Sequence, residues 1–271
     1  MANLVFPQLS SGALAQYPIR KVTVIRTIKN ILADGSMLVM ADPGAGQLVW
    51  TLSYTALEPV DMNALQAHFE ACGGRLRAFT FLDPTDNLLT SSADLTKPPW
   101  IIPTGMTIES QMPDPLGGTG AFYVTNSGSA TQQIVQSLPA APVSFQYCFS
   151  LYAASTSDST CSLLRSATNG ANIEQSDICR VGPQWSRISS SGVLNDTGVG
   201  LSVGISLAAG QGLSLFGPQL EPQFAPSRFR ATYSSGGVYV NAHWAVPELV
   251  FTADAPNLFS TSFSIETSVW N

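Results

Sequence analysis

The sequence predicts a mainly β protein: a β-sandwich domain with one short helix, interrupted by a second, inserted β-sandwich of jelly-roll type. Three observations carry this expectation. Apolar and polar residues alternate in many short runs, the period of a half-buried strand. Only one segment has helical spacing. No strand–helix–strand rhythm recurs, which excludes a doubly wound parallel sheet.

Composition narrows the functional classes. The 271 residues are enough to bury a substantial core without help from a partner. Only 11% of them are charged, against 45% hydrophobic, with 22 Gly and 18 Pro. An average soluble domain has roughly 25% charged residues. This surface is therefore either covered by Ser, Thr, Gln and Asn or hidden against other subunits, where charge is depleted. The net charge of −6 argues against a partner with a nucleic-acid backbone, which needs a clustered basic face. Arg20, Lys21, Arg26 and Lys29 do cluster, as do Arg75 and Arg77, and both groups read as solvated strand faces. Cys72, Cys148, Cys161 and Cys179 contain no C-x-x-C pair, so a metal site is not expected and reduced thiols are. The N-terminal stretch has no basic residue before Arg20 and is interrupted by Pro7, Ser10 and Ser11, so it does not read as a signal peptide. No run of about 18 apolar residues is present, and no membrane span is expected.

Taken in order, KVTVIRTIKNIL from Lys21 reads as a strand, and LVWTLSYTAL reads as another with Trp50, Leu52 and Tyr54 on one face. DPGAGQ supplies a loop between them. Pro59 opens the helix, in which Met62, Leu65, Phe69 and Cys72 recur at helical spacing, and Gly73-Gly74 stops it. RLRAFTFLD is the next strand, ending in the Asp83-Pro84-Thr85-Asp86 turn. From about residue 95 the texture changes: residues 98 to 184 hold only two basic side chains, Arg165 and Arg180, among Ser, Thr, Gly and Gln. Strand alternation recurs at Phe145, Tyr147, Phe149 and Leu151, at Val199 to Leu207, and at Leu213 and Leu215, as in an antiparallel sandwich. After residue 231 come GGVYVNAHWAVPELVFTA and FSTSFSIETSV, too short to stand alone. They read as the completion of the first domain, giving residues 1–95 with 232–271 as one domain and 96–231 as the insert.

Catalytic motifs are weak. Gly200-Leu201-Ser202-Val203-Gly204 matches G-x-S-x-G, yet it lies inside an alternating run with no helix behind it, so Ser202 reads as a strand residue. His68 and His243 read as structural or surface residues, and Asp83 and Asp86 as turn residues bonding their own backbone. No enzyme, no metal and no cofactor is expected. Aromatic side chains of the insert could offer apolar faces to sugar rings; the candidates are Trp100, Tyr123, Tyr147 and Tyr152, with Trp185 assigned to the core.

Two resemblances follow. The segment WTLSYTALEPVDMNALQAHFEACGGRLRAFTFLDPTDN resembles the distal tail and related minor tail proteins of long-tailed bacteriophages and gene transfer agents. Trp50, Tyr54, Leu65, Phe69, Gly74, Arg75, Phe79, Phe81, Asp83 and Asp86 carry that likeness over about 40 residues. The insert resembles the carbohydrate-binding-module-like jelly rolls of phage tail proteins, through FQYCFSLYA, the Trp185 to Arg187 segment, and LFGPQLEPQFAPSRF ending at Phe229. Gly217 and Pro218 are there expected to break the strand.

The resemblance implies a structural virion protein at the tail tip, made in the host bacterial cytoplasm. Its outer domain would form a homohexameric ring joining the tail tube protein to a hub or fibre protein. Arg20, Lys21, Arg26, Lys29, Arg75 and Arg77 would be its inter-subunit residues, and the insert would project outward and touch host surface glycan. The alternative implied is a lectin-like receptor-binding tail protein.

Overall fold

The computed structural model describes residues 4–42, 44, 46–167 and 174–268. The fold is mainly β, with one helix among the described residues. Contacts divide the chain into two units, residues 4–81 with 239–268 and residues 82–238.

The first unit begins with β1 (Arg20–Val24), β2 (Thr27–Ile31), β3 (Met37–Ala41), β4 (Gln47–Leu57), α1 (Pro59–Cys72) and β5 (Phe79–Leu82). The second unit follows with β6 (Met106–Met112), β7 (Ala121–Asn126), β8 (Gln132–Pro142), β9 (Tyr147–Ala154), β10 (Ser159–Ala167), β11 (Glu174–Val181), β12 (Ser186–Gly192), β13 (Val199–Leu207) and β14 (Gly212–Glu221). The chain then returns through β15 (Val238–Trp244), β16 (Thr252–Ala255) and β17 (Leu258–Ser268).

In the first unit the sheet order is β1-β4-β17-β15-β5, with β16 against β17. The alternation in LVWTLSYTAL places Trp50, Leu52 and Tyr54 in the core, all but inaccessible. The last strand supplies their partners across the ladder, Phe263 opposite Leu52 and Ile265 opposite Trp50. Phe6, Phe79, Phe81 and Trp244 complete an aromatic core. Each such buried side chain contributes roughly 1.5–3 kcal/mol of transfer free energy.

Helix α1 begins at a proline, whose missing N–H removes one of the first turn's orphan donors. Asp61 sits in that turn, where the helix dipole favours a carboxylate, and it accepts hydrogen bonds from Ser10 N (2.7 Å) and Ser10 Oγ (3.0 Å). The helix ends at Gly73 in the left-handed region (φ 63°), with Gly74 N donating to Phe69 O and Gly73 N to Glu70 O. The buried stripe is Asp61, Leu65, His68 and Cys72. Met62 and Phe69, expected on the stripe, lie half-buried at its flank, and Asp61 and His68 take the buried positions beside Leu65 and Cys72.

KVTVIRTIKNIL is two strands rather than one. The chain breaks at Ile25 and Arg26, and β2 leaves the main sheet to pair only with β3, a strand not expected from the sequence. Of the DPGAGQ loop, Pro43 and Ala45 lie outside the described residues.

The second unit is a sandwich of a four-stranded sheet, β11-β10-β13-β8, and a five-stranded sheet, β12-β9-β14-β7-β6, each antiparallel throughout. Phe149, Leu151, Leu163, Leu201, Ile205, Leu213 and Leu215 fill its core. Gly217-Pro218 does not end the strand: β14 runs through it as a bulge, with Gly217 at φ 62° and the Phe229 ring seated where a Cβ would be. Residues 82–95 and 232–238 group with this unit, not with the first. Asn87 explains why: its Oδ1 accepts from Leu89 N and Leu220 N, and its Nδ2 donates to Pro218 O and Arg230 O. Ser92 and Thr232 exchange further bonds, Ser92 N donating to Thr232 Oγ1 and Thr232 N to Ser92 Oγ. Glu221, nearly inaccessible, accepts from Ser227 N (2.9 Å) and Ser227 Oγ (2.5 Å), which folds the Pro-Gln-Phe-Ala-Pro-Ser return back on the strand.

Candidate functional site

The β2–β3 ribbon is the most unusual surface of the first unit. Asp34-Gly35 makes its turn: Gly35 sits at φ 83°, and Asp34 Oδ1 accepts from Ser36 N (2.9 Å) and Ser36 Oγ (2.7 Å). That hydroxyl contact holds the exposed Asp34 carboxyl below its ordinary pKa. Arg26 pairs with Asp42 at the base of the ribbon. Opposite residues share a face, so Ile28, Leu38 and Met40 stand on one side and Ile31, Met37 and Val39 on the other. All six are exposed, Ile31 by 78% and Met37 by 62%, and every residue of both strands is exposed. A two-stranded ribbon has no core of its own and is marginal in water. Contiguous exposed apolar surface of this kind marks an interaction site.

The basic residues are spread across this unit. Lys21 lies over the Trp50 ring, 5.6 Å from its centroid, and Arg20 pairs in register with Thr51. Lys29 stands opposite Val39 on the ribbon. Arg75 reaches Glu266 at 3.9 Å, and Arg77 donates to Ala71 O at the helix end.

His68 is buried, accepting from Trp244 Nε1 through Nδ1 at 3.2 Å and packing edge-on to Phe79. Burial lowers its pKa from 6.5 to about 4. Between those values the unfolded chain binds a proton that the folded chain rejects. The stability present above pH 6.5 is therefore lost as pH falls toward 4, about 3 kcal/mol in full. His68→Gln, which keeps an acceptor for Trp244, should flatten the fall in melting temperature across that window. An unchanged pH slope in that variant would contradict the assignment. His243, half-buried in β15, lies 3.3 Å from Arg75 O through Nδ1. Ser202 sits mid-strand in β13, its Oγ 2.6 Å from Ser137 Oγ, and the strand continues to Leu207 without the sharp turn and helix of a nucleophile elbow. Asp83 Oδ1 accepts from Thr85 N and Thr85 Oγ1, as a turn residue does.

Of the four expected sugar-contacting aromatics, two are core residues. Trp100 is buried with its Nε1 donating to Ser91 O, and Tyr147 is buried with its hydroxyl donating to Pro142 O. Neither offers a face to a ligand. Tyr147 points inward because it shares the parity of Phe149 and Leu151. Tyr123 and Tyr152 lie on the outer face of the five-stranded sheet, half-buried on β7 and β9. Tyr152 packs on Phe216 and carries the Arg187 guanidinium 5.3 Å from its ring centroid. The Tyr123 hydroxyl occupies the space beside Gly212.

The second unit also carries a cleft of about 880 Å³ at one end of the sandwich, which sequence reasoning missed. Asp158, Ser159, Thr160, Arg180, Gly182 and Gln211 line it, brought together by the β9–β10 and β13–β14 turns and the end of β11. Gln211 fixes its floor, donating to Ser159 Oγ (2.8 Å) and Thr160 O and accepting from Ala208 N (2.8 Å). Among the described residues, no group of His, Cys, Asp and Glu could hold a metal, and no helix is long and apolar enough to cross a membrane.

No protein-family model matches the chain, and no curated protein matches it in sequence. Among solved structures, it is similar to a xylan-binding domain from Paenibacillus barcinonensis, at 17% identity over 52% of this chain and 97% of that one, with a TM-score of 0.42. A tandem of two such modules from the same organism aligns over 70% of this chain and 86% of its own, at 13% identity and a TM-score of 0.43. The enzymatically active domain of bacteriophage CBA120 tailspike protein 4 aligns over 52% of this chain at 12% identity and a TM-score of 0.41. Only 22% of that tailspike chain is spanned.

Proposed function

We propose that the chain is a structural, non-enzymatic subunit of a phage-type tail tip, assembling through its first unit into a six-membered ring that joins the tail tube to a hub or fibre. Its place is the virion, after synthesis in the host cytoplasm. The observation that carries this reading is the β2–β3 ribbon, apolar on both faces and exposed at every residue. A second copy is the simplest cover for it, and a head-to-tail ring needs two different faces per subunit. The sequence likeness of the Trp50–Asp86 segment to distal tail proteins supplies the tail context. Light scattering on the purified chain tests it: a mass of six times 28.7 kDa is expected, and a monomer at all concentrations would overturn it.

Arg75 and Arg77 give a second handle on assembly. Exposed ion pairs such as Arg75–Glu266 contribute little to stability. Reversing both to Glu should leave the melting temperature within a few degrees of wild type while weakening assembly. Undiminished assembly in that double variant would remove them from the interface.

A second reading, saccharide recognition by the second unit, is favoured by the polar cleft of Asp158, Arg180 and Gln211. Retention of the intact chain on a glycan array tests it, and an array without a hit counts against it.

A further inference from the structure

The geometry points to the end-of-sandwich cleft, rather than the tyrosine-bearing sheet face, as the ligand site of the second unit, and to a neutral, terminal pyranose as what it holds. This rests on the saccharide reading above. The sheet face is already occupied by its own chain. Arg187 covers Tyr152 and donates to Ser227 O, Phe229 packs on Phe216 at 5.1 Å, and Gln219 holds Arg230 N at 2.8 Å. The return segment from Glu221 to Arg230 therefore lies over that sheet as a built part of the fold.

The cleft is different. Its volume falls within the roughly 300–1,000 Å³ of ligand pockets. Its backbone scaffold is fixed by Gln211 and by Ser155 N donating to Gly182 O at 2.9 Å, so a ligand has only the Asp158 and Arg180 side chains to order. Its two charged groups, Asp158 and Arg180, are exposed and make no hydrogen bond or ion pair among the described residues. A carboxylate is acceptor-only and a guanidinium is donor-only. Together they match adjacent ring hydroxyls, which donate to Asp158 and accept from Arg180, while Ser159 and Thr160 add hydroxyls that do both. Gly182 keeps the wall beside Asp158 low: a Cβ there would stand 3.5 Å from Asp158 Oδ1.

Two features select among sugars. Among the described residues no aromatic side chain lines the cleft, so there is no platform for the flat face of a long chain, and a ring enters edge-on at the end of a glycan. Acidic residues outnumber basic ones between 82 and 238, which disfavours uronates and other anionic sugars. Recognition by hydrogen bonds alone gives weak single-site affinity, on the order of millimolar, and repetition of the site in a ring would raise it through avidity.

The test is ligand-observed NMR on the intact chain with galactose, glucose, mannose, xylose and N-acetylglucosamine, and with glucuronate and glycine as charged and zwitterionic controls. The expected result is millimolar binding of at least one neutral sugar, weakened at least tenfold in Asp158→Asn and in Arg180→Gln. Both side chains are exposed, so both variants should melt as wild type does. Sugar binding undiminished in the two variants would overturn this site and leave the saccharide reading standing. Binding of glucuronate or glycine alone would overturn the ligand class. No binding by any sugar, together with an array without hits, would overturn both.

Discussion

Replacing Ile28, Leu38 and Met40 together with Ser should abolish assembly of the purified chain while leaving its fold intact. The three side chains share one face of the β2–β3 ribbon and are exposed by 43%, 45% and 40% in the single chain. Less than half of each side chain is left to bury against a neighbour, worth roughly 0.6–1.3 kcal/mol apiece, so their loss removes on the order of 3 kcal/mol per interface. Each 1.4 kcal/mol is tenfold, so association should weaken by about two orders of magnitude. Stability of the single chain should barely move, because β2 and β3 pair with no other strand among the described residues. Light scattering and thermal melting separate the two effects. A variant that still assembles would show that the ribbon is not the contact, and one that unfolds would show that it belongs to the core.

Trp244→Ala should be the most damaging single substitution in the first unit. Trp244 is inaccessible and stands at the centre of the aromatic cluster, 4.5 Å from Phe263 and 5.2 Å from Phe69 between ring centroids. Truncating a core Trp costs about 3–5 kcal/mol through lost transfer energy and the cavity left behind. It also removes the indole N–H that donates to His68 Nδ1, leaving that buried acceptor only the weak Cys72 thiol at 3.9 Å. That sum approaches the whole stability of many domains. Urea unfolding with two probes should show a large fall in midpoint. A loss under about 1 kcal/mol would mean that the cluster repacks freely.

Much of this architecture was legible in the residues. The period-two runs around Trp50, Phe149, Leu201 and Leu213 are strands because their alternation matches the two faces of a sheet, and Gly73 ends the helix because only glycine adopts φ 63° without strain. What failed to read correctly failed for physical reasons. The β3 segment, Met-Leu-Val-Met-Ala, is apolar on both faces and shows no alternation, so its one signal was the Asp34-Gly35 turn between two runs. Gly217-Pro218 has the composition of a strand end, yet the ladder to β9 shifts register there and resumes at Gln219. The structural reading of His68 was open to sequence, but its partner was not, because Trp244, whose indole donates to it, lies far away in the chain. The cleft could not be read at all. It joins residues 158–160, 180–182 and 208–211, none of which forms a local motif, and only the sandwich topology brings them together.

Assembly through the first unit is decided by electron microscopy of the purified wild-type chain with class averaging. Six-membered rings with a central opening are expected. Dispersed single particles at every concentration tried would contradict that assembly.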